Sequence, residues 1–422
     1  MSQMFASPSQ TRQLVNTVLM GGYVLISVVH AAEREPSWPQ FHGPNRDNIS
    51  TETGLLKKWP VNGPALMWTA RGLGHGYSSV SIADGIIYTA GSIDKHTVVT
   101  ALDLGGRTLW QVKNGEAWTG AHPGSRGTPT IDDDRLYHQN PHGNLICLGA
   151  KTGDILWQLN LVEEFGSTIP RWALAESLLV DGDHLISCPG GPRTYMVALD
   201  KEDGAVIWAS PSTGELAGYA SPALFEFRGL RVITTLTAKS FIGVNADTGA
   251  LLWRVKYESP YDENIMMPIF HEGYVFISTP VAGSAKWKVN VTNGSVSLEE
   301  MWHTPELDNH HGGVVLVNGN LYGSSTVRNK NLLVCLDWET GWRKYRGRCI
   351  GKASLTYADG MLYALSIDGV MGLVRPTGRG YELVSYFEIP NGGKGKSWAH
   401  PVVCGGRLYI RHGEFLYAYD LG

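Results

Sequence analysis

The sequence predicts an all-β fold in which eight four-stranded antiparallel sheets close into a ring, and three observations predict it. The first is a recurring segment. "VTALDLGGRTLWQV" (Val99–Val112) returns as "LICLGAKTGDILWQL" (Leu145–Leu159), "MVALDKEDGAVIWAS" (Met196–Ser210) and "FIGVNADTGALLWRV" (Phe241–Val255). Each reads as strand, tight turn, strand, with a tryptophan four residues after the turn glycine: Gly106/Trp110, Gly153/Trp157, Gly204/Trp208 and Gly249/Trp253. The glycine supplies the positive φ of a tight hairpin. Side chains alternate along the returning strand, so the fixed offset puts every Trp on the same face of its sheet.

The second observation is an independent series of hairpin signals, Asp84-Gly85, Asp133-Asp134, Gly182-Asp183, Arg228-Gly229, Glu272-Gly273, Asn318-Gly319, Asp359-Gly360 and Gly405-Gly406. From Gly85 to Gly406 they make seven intervals over 321 residues, a period near 46, and hence eight copies. Recurrence at such a period marks a repeat architecture. The third observation is that the chain ends are complementary. "PALMWTARG" (Pro64–Gly72) looks like the last strand of a copy without its beginning, and "HPVVCGGRLYIRHGEFLYAYDLG" (His400–Gly422) supplies three strands and stops. Pairing Pro64–Arg71 with the strand near Phe415–Asp420 completes an eight-bladed β-propeller of four-stranded antiparallel blades. Closure of this kind leaves few exposed sheet edges.

Taken in order, residues 1–31 read as a signal peptide. Arg12 precedes the apolar run Leu14–Val29, and Val29-His30-Ala31 suits cleavage near Ala31. The run is short for a spanning helix of about 20 residues, so no membrane span is expected after its removal; an uncleaved anchor is the alternative. Periplasmic or otherwise exported localisation follows. Residues 32–63 are polar and rich in Pro and Gly, yet carry Trp38, Phe41 and Trp59. Disordered linkers seldom hold such aromatics, which predicts a strap lying on the body of the protein. Residues 64–422 are then one propeller domain. Its later copies are degenerate: one delays its aromatic to Trp302, one has Tyr345 in place of Trp, and one ends on Tyr386 and Phe387.

Composition agrees with an exported all-β chain. There are 51 glycines and 14 tryptophans in 422 residues, and no long amphipathic helical pattern after residue 31. The formal charge is −4 without a basic run, which argues against a nucleic-acid partner. Of the five cysteines, Cys147 and Cys335 hold equivalent places in the second and sixth copies, on opposite sides of the ring, too far apart to pair. Most of the five read as small buried apolar residues.

Function on a repeat scaffold sits on its variable loops. Here the long, varied segments are those that enter innermost strands or join the second and third strands, and they share one face. Arg126, Arg171 and Trp172 precede innermost strands, with Tyr77, Tyr219, Lys352 and Trp398 in similar places. Arginine and aromatics around one mouth suit a small anionic or carbohydrate ligand, or a protein surface. His75, His122, His310, His311, His400 and His412 fall in or near the same loops, but adjacent histidines in a strand point to opposite faces, so at most one of His310 and His311 should face the axis. No metal site is expected. "NGGKGKS" (Asn391–Ser397) is not a phosphate loop, because Pro390 replaces its first glycine and a strand follows it.

The segments "ALD", "NADTGALLW" and "LDWETG" resemble the tryptophan-docking repeat of the pyrroloquinoline-quinone-like, or quinoprotein alcohol dehydrogenase-like, β-propellers, over nearly all of residues 64–422. "WPQFHGPNRDNIS" (Trp38–Ser50) is similar to the leader of bacterial exported members. The resemblance implies that Trp110, Trp157, Trp208 and Trp253, and also Trp68, clamp neighbouring blades. In the dehydrogenases it further implies a quinone stacked between a Trp and a disulfide of adjacent cysteines, beside calcium held by Glu and Asn, with an Asp as base. No two cysteines are adjacent here, and no such Glu/Asn/Asp set aligns, so neither pyrroloquinoline quinone nor calcium is expected. Three classes stay open: an exported, non-catalytic binding or scaffolding propeller, which the residues favour; a quinone-dependent alcohol or sugar dehydrogenase; and a carbohydrate-acting or metal-dependent enzyme.

Overall fold

The computed structural model describes residues 36–422 apart from 293 and 329, together with two short paired strands at Leu19–Met20 and Tyr23–Val24. The rest of the expected export signal lies outside the described residues. Residues 36–422 form eight antiparallel four-stranded sheets in sequence order, with little helix beyond the single turn Leu161–Phe165. Blades 1 to 7 span residues 81–116, 130–160, 179–209, 223–256, 269–304, 309–347 and 353–388. Blade 8 takes its three inner strands from 402–420 and its outer strand from Leu66–Ala70, which pairs antiparallel with Phe415–Asp420.

The turn chemistry read from sequence is what closes the inner hairpins. In six of the eight signals both turn residues have positive φ, from Asp84 (49°) and Gly85 (72°) to Gly405 (65°) and Gly406 (66°). That is the primed turn whose twist matches the strands it joins.

Packing between blades follows one rule. The indole N–H of Trp68, Trp110, Trp157 and Trp208 donates to a backbone carbonyl of the next blade: Leu104, Ala150, Lys201 and Ala246, at 2.9–3.1 Å. Each ring lies on the next blade's turn glycine, where a Cβ would meet it at 2.5–2.9 Å. Gly106, Gly153, Gly204 and Gly249 are therefore required twice, for their positive φ and for the face they leave open to the ring. The late aromatic of blade 5 obeys the same rule, with Trp302 bonded to Trp338 O at 3.2 Å and lying on Gly341.

Two junctions depart from this rule. Trp253 is buried, but its indole N–H has no partner among the described residues. Blade 5 has a longer outer hairpin, Gly283–Thr292 with Ser295–Thr304, so Gly294 sits at its tip and meets nothing. Trp253 instead packs in an aromatic cluster in which Phe225 and Phe270 stack across the junction at 3.9 Å. In blade 7 the docking position is Ser385, not Tyr386 or Phe387. Trp59 of the strap fills the gap: its backbone N–H donates to Ser385 Oγ at 2.9 Å, and its ring lies 5.9 Å from Tyr363 and 5.5 Å from Phe387.

A feature shared by all eight blades was not visible in the sequence. Each outer strand carries a β-bulge one residue before the docking position, at Met67, Leu109, Leu156, Ile207, Leu252, Met301, Lys344 and Val384. A bulge bends and twists the edge strand. It turns the tryptophan toward the next blade and spoils the flat edge on which another chain would pair.

Residues 36–63 do more than lie on the body. Trp38 pairs with Ile82 of blade 1, Pro39 O accepts from Ile131 of blade 2, and Arg46 donates to Ser177 and Leu178 at blade 3, each at 3.0 Å. The chain then crosses the channel to blade 7, where Ile49–Ser50 add a parallel strand to Tyr357–Ala358. Beyond it, Glu52 caps the Gly405-Gly406 turn of blade 8. His42, Arg46 and Asn48 hold positive φ along this path, a costly conformation that the many fixed partners sustain. The strap thus plugs the axial channel from the face opposite the long loops.

Candidate functional site

On the loop face the channel opens into a cavity of about 160 Å³, with Phe41 and His42 of the plug forming its floor. Of the residues expected in a site, Tyr77, Arg126, Trp172, Tyr219, His310, Trp398 and His400 line it. Three do not. Lys352 stands behind His310, bonded to its Nδ1 at 3.1 Å. Arg171 lies at the rim over the rings of Trp172 and Tyr261, at 5.1 and 5.4 Å. His75 lines a separate groove with Ser92, Asp94 and Lys394.

Both His310 and His311 reach the cavity, contrary to strict alternation. Their strand, Asn309–Val317, loses its ladder between Asn309 and Val314, and Gly313 takes φ 69°. Over that irregular stretch the period of two no longer holds. Missed altogether were Phe41 and His42, Glu263, and the apolar wall Ile265–Met267. The only hint of the first pair was an aromatic in a polar leader.

The imidazoles form two linked sets. His400 Nε2–H donates to His311 O at 2.8 Å, which leaves its Nδ1 to accept from His42 Nε2–H at 3.1 Å and Asn48 Nδ2 at 3.2 Å. His310 donates through Nε2 to Glu263 Oε2 at 3.3 Å and accepts from Lys352 at Nδ1, with His311 Nδ1 3.2 Å away. Burial disfavours the charged forms. It lowers His400 to about 4, and carries His42 and His311 well below the usual imidazole range, helped by the neighbouring His400 and His310 respectively. His310 is lowered by burial against the opposing pull of Glu263. All four are neutral near pH 7.

The cations are also strained by burial, which brings Lys352 to about 8 and Arg126 to about 10. Arg126 spends three hydrogen bonds on the carbonyls of Ala121, His122 and Gly124, at 2.7–3.3 Å, and so anchors the loop that ends on it. Trp398 is the hub of the aromatic wall, with Tyr77 and His122 each 4.8 Å away and His311 at 5.5 Å.

Fold and site together define an eight-bladed, tryptophan-docked propeller of the pyrroloquinoline-quinone-like repeat class, its axial channel plugged by its own leader. Within that class the chain belongs to the family described as outer membrane protein assembly factor BamB, whose pattern matches residues 95–346. It is similar to BamB of Shewanella oneidensis, 26% identical over 244 residues, 52% of this chain and 57% of that protein. The matched stretch thus spans little over half of that relative. Among solved structures, BamB from Moraxella catarrhalis superposes with a TM-score of 0.62 at 17% identity, covering 84% of this chain and 97% of that one. A europium-containing methanol dehydrogenase gives 0.68 at 12% identity, covering 92% and 98%. At these identities the structural likeness is one of fold.

The cavity does not fit the quinone and calcium of the dehydrogenases. Calcium takes six to eight oxygen ligands, but Glu263 is the only carboxylate in the wall and already accepts from His310. Ser177 and Ser221 use their hydroxyl oxygens to accept from Thr128 and Ser177 backbone N–H groups. Among the described residues no group of three or more His, Cys, Asp or Glu side chains is placed to hold a metal, and all five cysteines are unpaired. The space is also below the roughly 300–1,000 Å³ of organic-ligand pockets.

Proposed function

We propose that this protein is an exported, non-catalytic binding propeller whose loop face receives a protein partner in outer membrane protein assembly. The observation that carries the reading is the cavity's rim. Aromatic side chains and the exposed guanidinium of Arg171 stand there free to contact a surface, while the histidines below are neutral and bonded to one another. Aromatics and arginine are the residue types that dominate binding energy at interfaces. Membership of the BamB family supports the process, and the sequence of residues 1–31 supports export. No helix among the described residues is long and apolar enough to cross a membrane.

The test is genetic. Deleting the gene should lower the amount of outer membrane proteins in the envelope. The wild type should restore it, and so should Leu156→Glu, at an exposed perimeter position. An Arg171→Glu, Trp172→Ala double variant, folded by thermal melting, should not. Unchanged outer membrane protein levels on deletion, or full rescue by the rim variant, would remove the reading.

The dehydrogenase alternative makes an opposite prediction. A ligand held at 100 times its dissociation constant adds about 2.7 kcal/mol to stability, a shift of a few degrees that a melting curve detects. Pyrroloquinoline quinone with calcium is expected to leave the melting temperature unchanged. Stabilisation that Trp398→Ala abolishes would restore the quinoprotein reading.

A further inference from the structure

The cavity is rich in hydrogen-bond donors, with the guanidinium of Arg126 in its wall. Trp172, Trp398, Tyr77 and Tyr219 line it, and none of their indole N–H or hydroxyl protons meets an acceptor among the described residues. Tyr219 Oη itself only accepts, from Trp172 N at 3.4 Å. Arg126 bonds only loop carbonyls, and Lys352 bonds His310. Among the described residues no carboxylate lies within salt-bridge distance of Arg126, Lys352 or Arg171. The wall itself holds one cation, Arg126, and one carboxylate, Glu263, the latter already engaged by His310; Lys352 stands behind His310, where Glu263 and Asp308 both act on its charge.

A cationic ligand is disfavoured by the same geometry. Two of the rings that would cage it already carry guanidinium groups: Arg126 lies 5.6 Å from the Tyr77 centroid, and Arg171 lies 5.1 Å from that of Trp172. A fully hydrated inorganic anion is disfavoured by the apolar part of the wall, Phe41, Ile265, Met266 and Met267.

We propose that the axial cavity is a carboxylate site, built for a single carboxylate on a short apolar stem. Its oxygens accept from Arg126 and the indole and phenol donors, Lys352 supplies charge from behind His310, and the stem lies against Met266, Met267 and Phe41. The anion comes either from a free short-chain carboxylic acid or from an acidic side chain of the docked partner. The inference rests on the loop-face reading and names the chemistry that face selects.

The experiment titrates the full-length protein with butyrate, butyramide and inorganic phosphate, by calorimetry and melting temperature. Two further probes are the peptides acetyl-Ala-Glu-Ala-amide and acetyl-Ala-Gln-Ala-amide. Butyrate is expected to bind at least about tenfold more tightly than its neutral isostere, the factor that charge-assisted hydrogen bonds supply. Lys352→Met and Arg126→Met should abolish that preference, and Glu263→Gln should keep or strengthen it. Should Arg126→Met unfold because its loop is released, Lys352→Met alone decides. Competition by the Glu peptide but not the Gln peptide assigns the partner as source; binding of butyrate alone assigns a free acid. Equal binding of butyrate and butyramide, phosphate binding as tightly as butyrate, or an unaltered Lys352→Met variant overturns the proposal. Failure here with a rim variant that still cannot rescue the deletion would leave the docking reading standing and remove only the carboxylate.

Discussion

Replacing Leu66–Ala70 by a Gly/Ser segment of equal length should abolish cooperative melting and drive the protein into aggregates. Four ladder pairs would go, from Leu416↔Ala70 to Tyr419↔Leu66, and with them the Trp68 ring that lies on Gly106 of blade 1. Leu416, Tyr417, Ala418 and Tyr419 are buried in the closed ring, and the strand that carries them would become an open edge. Arg411 makes the loss worse. This fully buried arginine donates to Leu73 O and Gly74 O, at 3.1 and 2.8 Å, and to Gly413 O, tying the entry of blade 1 to blade 8. Its burial already brings it down to about 9. Opening the ring would leave these groups half satisfied, at a cost comparable with the roughly 5–15 kcal/mol that holds a domain folded. Thermal melting and sedimentation velocity read the outcome. A monomer melting cooperatively near the wild-type temperature would refute ring closure as the source of stability.

Trp59→Ala is expected to destabilise the protein by about 3–5 kcal/mol, the range for emptying a buried tryptophan site. Trp59 is 3% exposed and stands in blade 7 where the other blades use their own outer strand. Its relation to Tyr363 repeats that of Trp110 to Tyr88, Trp157 to Tyr137 and Trp68 to Tyr409, with ring centroids at 5.9–6.2 Å throughout. Trp157→Ala is the control and should cost less, since that ring is only half-buried. Denaturant midpoints at constant slope measure both. A Trp59→Ala protein within about 1 kcal/mol of wild type, well under the cavity range, would mean the strap is an ornament on a self-sufficient ring.

The blade was legible because its information is local. A hairpin turn must have its positive-φ residues in place, and a docking tryptophan must fall at a fixed offset from its glycine. Both constraints act within some fifteen residues and repeat with the blade, so counting them gave the blade number and the closing strand. Trp253 packs at its junction without the indole hydrogen bond and glycine seat of the other blades for a local reason of the next blade, whose hairpin grew and carried its glycine away from the junction.

The candidate site was only half legible. The side chains on loops entering inner strands announced themselves by recurring position, and seven of the ten residues expected there converge. Alternation failed at His310 and His311 because a strand keeps its period of two only while its ladder is intact. The floor and the polarity of the cavity belong to the tertiary structure alone. His42 meets His400 across 358 residues, and Asn48 meets Leu355 across 307, contacts that no periodicity encodes. The sequence by itself determined the ring: eight blades, their turns, and the strand that closes them. Only the tertiary structure decided that the leader enters the channel and lends a tryptophan to blade 7, because those choices are made by burial between segments that share no repeat.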